Sequence, residues 1–129
     1  MNPKEVVAQL EAEFPGKNIL QLPPENPTEI VCEVEPTTVD HPERSVAVAV
    51  IDRSAQHVHR ISTETYEIED GEVTLSTNGK KRIMKKGDSW VIQPGEIHRA
   101  DANGARVKVT SEPVWTPEDH ILIPGVRNR

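Results

Sequence analysis

His57-Val58-His59-Arg60-Ile61-Ser62-Thr63-Glu64 is the stretch that decides how this chain is read. Residues i and i+2 of a β-strand project from the same face, so His57 and His59 present two imidazoles to one point in space. Glu64, five residues past His59, has the wrong parity to join them on one straight strand; a turn over residues 60–63 brings it back on the adjacent strand. His98 then enters from a third strand. Three neutral nitrogen donors and one carboxylate oxygen, converging inside a sheet closed on itself, suit a first-row divalent ion and leave positions open for substrate.

Outward from this stretch the pattern is period two in short runs. Glu29 to Glu35, Ser45 to Asp52, Gln56 to Arg60, Glu64 to Asp70, Glu72 to Thr77, Lys81 to Lys85, Ser89 to Ile92 and Ala105 to Thr110 read as strands. Asp70-Gly71, Asn78-Gly79, Gly87-Asp88, Pro94-Gly95 and Asn103-Gly104 supply turns between them. Many short strands at regular spacing predict an all-β antiparallel sandwich or jelly-roll barrel. One segment has a helical period: Asn2 caps, Pro3 takes the first helical position, and Val6, Val7, Leu10 and Phe14 line one face before Pro15-Gly16 ends the run. This helix is expected on the outside of the body. The division is therefore 1–27, an N-terminal helix and a proline-rich extended connector, and 28–129, a single barrel domain. The tail from Pro113 to Pro124 carries Trp115 and Ile121-Leu122-Ile123, apolar enough to require docking on its own barrel or on a partner subunit.

A chain of 129 residues has room for one domain with a real core. Its 21 acidic against 15 basic residues leave a formal charge of −6, a poor basis for binding nucleic acid. Lys80-Lys81-Arg82 and Lys85-Lys86 flank a hairpin and read as solvated strand edges. Cys32, the single cysteine, excludes an intramolecular disulfide, and its alternating context makes it a buried structural thiol. The start lacks the basic stretch and apolar run of a signal peptide, and no window approaches a membrane span, so the expectation is a cytoplasmic protein without membrane contact.

The first stretch, with Gly71 following Glu64, resembles the first motif of the cupin superfamily. Gly87-Asp88-Ser89-Trp90-Val91-Ile92-Gln93-Pro94-Gly95-Glu96-Ile97-His98 resembles the second. Two positions depart: the proline usual two residues before the last glycine is Gln93, with Pro94 beside it, and the glycine usual upstream of the first histidine is absent. Neither touches a ligand position. The resemblance implies a double-stranded β-helix barrel in which His57, His59, Glu64 and His98 hold one metal ion, while Gly71, Gly87 and Gly95 make the tight turns. An N3O donor set accepts manganese, iron, nickel, cobalt, copper or zinc.

Parity adds candidates around the metal. Tyr66 shares the face of Glu64 and is a candidate proton donor or substrate contact. Trp90 shares parity with Ile92 and is expected in the core or a pocket wall, whereas Gln56, Gln93 and Arg99 fall on the outer face. His41 and His120 lie outside the motifs and read as surface or interface histidines. No Ser/His/Asp or Cys/His arrangement can be drawn, so chemistry runs through the metal. The leading reading is isomerase- or lyase-like chemistry on a sugar or sugar acid, in line with a tail, Ser111 to Asp119, that resembles the ending of many small sugar-processing cupins. The alternatives are a dioxygenase using O2 at the same metal and a non-catalytic small-ligand-binding module. The partners expected are a small-molecule substrate and a second copy of the chain in a homodimer.

Overall fold

The computed structural model of the chain describes residues 1–36, 40 and 42–124. Among these, a helix α1 (Pro3–Glu13) precedes ten strands: β1 (Asn18–Leu22), β2 (Glu29–Glu35), β3 (Ser45–Arg53), β4 (His57–Val58), β5 (Thr63–Asp70), β6 (Glu72–Thr77), β7 (Lys80–Lys85), β8 (Ser89–Ile92), β9 (His98–Glu112) and β10 (Ile121–Leu122). No described helix is long and apolar enough to cross a membrane.

The antiparallel sheet runs β1-β2-β3-β9-β4-β10, with β5 paired to β8 and β9, and β6 to β7 and β9. The seam is β9. Its C-terminal half carries β3 on one edge and β5 on the other, while its N-terminal half takes β6 and, at His98, β4. One strand that serves four neighbours curls the sheet on itself, which is the all-β barrel expected.

The apolar run Val46–Ile51 in β3 explains the layering, because a strand buried on both faces has no polar side to spare. Val48 and Val50 meet Val6 and Leu10 of α1, together with Ile30 and Cys32. Ala49 and Ile51 point the other way, into a core with Ile68, Val73, Leu75 and Val107. The helix begins as read: the Asn2 side chain accepts from the Glu5 N–H at 3.2 Å. Burial beneath this helix pushes the Cys32 thiol up, which leaves it unreactive.

Two elements differ from expectation. The span 15–27 is extended, but Asn18–Leu22 is a full strand paired with β2, because Ile19 packs under α1 while Leu20 and Leu22 turn to the other side. Asn103-Gly104 does not end a strand. Gly104 takes φ +70 inside β9, and its N–H donates to Asp52 Oδ1 at 2.8 Å, so the chain bends without leaving the sheet. The pairing of β9 with β3 changes register at this point, between Ile51 and Arg53.

Gly71 is held more tightly than a turn alone requires. It has φ +84, and a Cβ there would lie 3.1 Å from both Cα and Cβ of Ala105 on β9. Gly71→Ala is expected to lower stability by about 2 kcal/mol, through positive φ and the collision together. Urea unfolding measures the difference.

Candidate metal site

The two residues of β4 set the site, and both edges of that short strand are taken. One pairs His57 with His98 of β9, and the other pairs with β10. Glu64 therefore cannot lie on a strand beside His57, as the sequence reading had it. After the turn at residues 60–62 the chain joins another part of the sheet, where Ile92 of β8 and Ser111 of β9 flank Glu64. A backbone bond from the Gly95 N–H to the His59 carbonyl, 2.8 Å, ties the loop after β8 back to the histidine segment. His57, His59, Glu64 and His98 converge despite the changed route, each no more than 4% exposed. Their ligand atoms lie within 4.8 Å of one another, a group able to hold a metal ion.

Each imidazole is oriented from behind. Nδ1 of His57 donates to the Ala55 carbonyl at 2.6 Å, Nδ1 of His59 to the Asp119 carbonyl at 2.9 Å, and Nδ1 of His98 to the Glu96 carbonyl at 2.9 Å. A carbonyl only accepts, so each Nδ1 carries a proton, and in the neutral ring this leaves the Nε2 lone pair free for a metal ion. There Glu64 Oε1 lies 3.2 Å from Nε2 of His98 and 3.1 Å from Nε2 of His59. The His59 Nε2 has no hydrogen-bond partner among the described residues, an orphaned buried nitrogen. Inward lone pairs around a carboxylate need a cation between them.

The charges of His57 and Glu64 agree with that demand, whereas His59 holds a proton that a bound ion would have to displace. Burial, helped by His98 and His120, drives His57 down to about 3, so it is neutral at physiological pH. Burial also pulls His59 down, but the adjacent Glu64 carboxylate outweighs it and the net shift is upward. For Glu64, burial raises the pKa, yet the two imidazoles beside it prevail and hold it far below the carboxylate range. An ionised carboxylate among outward-pinned imidazoles is the state that metal coordination requires.

The C-terminal segment contributes what the sequence reading missed. Residues Pro117–Asp119 form a 3-10 turn, and the buried Asp119 carboxylate accepts from the N–H groups of Arg60 (2.8 Å), Ile61 (3.1 Å) and Ser62 (2.9 Å). The same residue thus fixes the turn between His59 and Glu64 and, through its carbonyl, the His59 ring. His120, read as a surface or interface histidine, is half-buried with its ring stacked on His57, centroids 4.3 Å apart, and Trp115 packs edge-on against it at 5.7 Å. No motif spacing signals this, because the contact spans more than sixty residues. His41 lies outside the described residues. Trp90 is a correction: it is 41% exposed, with the Arg82 guanidinium 3.4 Å above its ring, because β8 pairs with β5 alone and leaves that face open.

A cavity of about 160 Å³ opens on the cluster, lined at its inner end by His57, Glu64, Tyr66 and His120. Tyr66 is buried with its ring 6.3 Å from that of His98; burial, then Glu64 and Glu29, push its phenol well above the usual value. Its phenol therefore stays protonated at neutral pH. Glu29 was not singled out in the sequence, yet it lines the same cavity, where burial and Glu64 push its carboxyl up to about 7.

A curled antiparallel barrel with a buried three-histidine, one-glutamate cluster at the base of a cavity defines a small double-stranded β-helix protein. The Cupin domain family model matches residues 45–111, more than half of the chain, and the chain belongs to the cupins. No curated protein matches it in sequence. Among solved structures it resembles a Streptomyces Pac13 variant with uridine (TM-score 0.74, 12% identity, 86% of this chain and 88% of that one); Pac13 is described as a nucleoside dehydratase. It also resembles KdgF from Halomonas sp. (0.65, 18%, 76% and 89%) and a Planctomyces limnophilus protein (0.70, 20%, 84% and 92%). At these identities the likeness is one of fold.

Proposed function

We propose that His57, His59, Glu64 and His98 hold one divalent first-row transition metal ion, and that the adjoining cavity carries out isomerase- or lyase-type proton transfer on a small hydroxylated carbonyl compound of the sugar or sugar-acid class. The observation that carries the reading is the orientation of the three histidines. Each is pinned at Nδ1 by a main-chain carbonyl, and Nε2 of His59 and of His98 lies beside Glu64, at the inner end of a cavity. A bound ion there supplies Lewis acidity to a carbonyl or hydroxyl oxygen. The chain supplies the rest: Tyr66 offers a proton from a phenol that stays neutral, and Glu29 changes protonation near pH 7, where a group exchanges protons most readily. Trp115, Val109 and Val31 close the apolar side and limit water.

Elemental analysis of the purified chain, followed by NMR of sugars incubated with it in deuterated water, tests this. The expected result is about one metal ion per chain and deuterium entering the carbon beside the substrate carbonyl, abolished by a chelator. A metal-loaded chain that exchanges no deuterium across a broad sugar panel, or that consumes O2 with substrate, would overturn the proton-transfer reading, the latter in favour of an oxygenase.

A further inference from the structure

Strand β2 divides its side chains sharply: Ile30 and Cys32 pack beneath α1, while Glu29, Val31, Glu33 and Glu35 line the cavity. With Glu64 at the inner end, four carboxylates face this space, and no Lys or Arg is among the described residues that line it. Arg44 approaches Glu35 at 3.9 Å, but both side chains are exposed at the rim. Glu29 and Glu33 have no ion pair or hydrogen bond among the described residues. The one long helix packs on the opposite face of β2 and offers the cavity no N-terminus.

Protein groups that recognise a phosphate or carboxylate are chiefly Arg, Lys and helix N-termini, and the described lining of this cavity has none of them. A divalent ion balanced by Glu64 leaves a single net positive charge, which Glu29 and Glu33 offset. The remaining wall is apolar, from Leu20 and Leu22 of β1 to Trp115. We infer that the substrate is an uncharged or cationic hydroxylated carbonyl compound with an apolar or flat portion, such as a glycoside- or nucleoside-like compound that carries an aldehyde or ketone, and not a sugar phosphate or sugar acid. This rests on the proposed reading of the cavity as the substrate site and narrows its class. The carboxylates accept from substrate hydroxyl or amine groups, and the apolar wall covers the rest.

Matched ligand pairs decide it, with uridine against its monophosphate and methyl glucoside against methyl glucuronide, followed by saturation-transfer NMR at mildly alkaline pH on the whole chain. Metal content is measured first. A chain without metal overturns the proposed metal chemistry alone, since the carboxylates belong to the protein and the ligand comparison still stands. The expected result is binding of a neutral member, with its anionic counterpart weaker by about tenfold or more, the scale of one like charge within ~10 Å at intermediate dielectric. Glu29→Gln and Glu33→Gln, singly and together, are expected to narrow that gap. Equal or tighter binding of the anion by the wild-type chain, no binding of either neutral member, or an unchanged gap in folded variants would each overturn the inference.

Discussion

His59→Ala is expected to lose most of the bound metal while the barrel stays folded. Removing an outer hydrogen-bond partner of a ligand typically weakens metal affinity 10- to 100-fold, so loss of the ligand itself is expected to cost more than about 100-fold. The fold survives because His59 follows the two-residue β4 and belongs to neither apolar core cluster. The hydrogen bond that alanine removes, from Nδ1 to the Asp119 carbonyl, is worth about 1 kcal/mol. Metal retained after dialysis and melting temperature with and without chelator form the readout. The wild-type melt is expected to fall on chelation and the variant's to be indifferent, since only a ligand that binds the native state raises stability. Full occupancy in the variant would remove His59 from the site.

Asp119→Ala is the second large effect, and it acts from outside the metal cluster. Three backbone N–H groups at residues 60–62 lose a buried charged acceptor, and Ser62 is itself buried. The expected cost is about 3 kcal/mol, since hydrogen bonds to charged groups are the stronger ones and the Ser62 N–H is left buried without its acceptor. For a domain of this size that is a fall of roughly 10 °C in melting temperature. Burial alone would raise this carboxyl, but the N–H groups prevail and hold it below the usual aspartate range, so its contribution is complete at neutral pH. Metal affinity is expected to fall by up to about 10-fold as well: alanine keeps the main-chain carbonyl that accepts from His59, but loses the carboxylate that anchors that carbonyl to the turn between His59 and Glu64. A variant as stable as wild type, with unchanged metal binding, would show that the tail merely rests on the barrel.

The particular residues show why some of this was legible in the chain. The cap at Asn2, the two-sided run of β3 and the hairpin around Asn78-Gly79 are local, and local chemistry determines them. The β6–β7 hairpin leaves β7 with one neighbour, consistent with reading its lysines as solvated edge residues. Asn103-Gly104 misled because a turn pair also suits a bulge, and the neighbours on both edges of β9 keep the strand running. Trp90 misled because parity assigns a face but not whether anything covers it.

By itself the sequence determined the strand period and the helix with its cap, because alternation and turn chemistry act within a few residues, and the resemblance of its two motifs to those of cupins named the set His57, His59, Glu64 and His98 that the fold brings together. Tertiary structure alone decided that β4 has both edges occupied, so that Glu64 arrives from another part of the sheet. It also decided that Asp119 and His120 return to the histidines, and that Glu29 and Glu33 face the cavity. The physical reason is the closure of the sheet: a period-two pattern states which residues share a face, and only the pairing partners of β9 and the docked tail determine what that face meets.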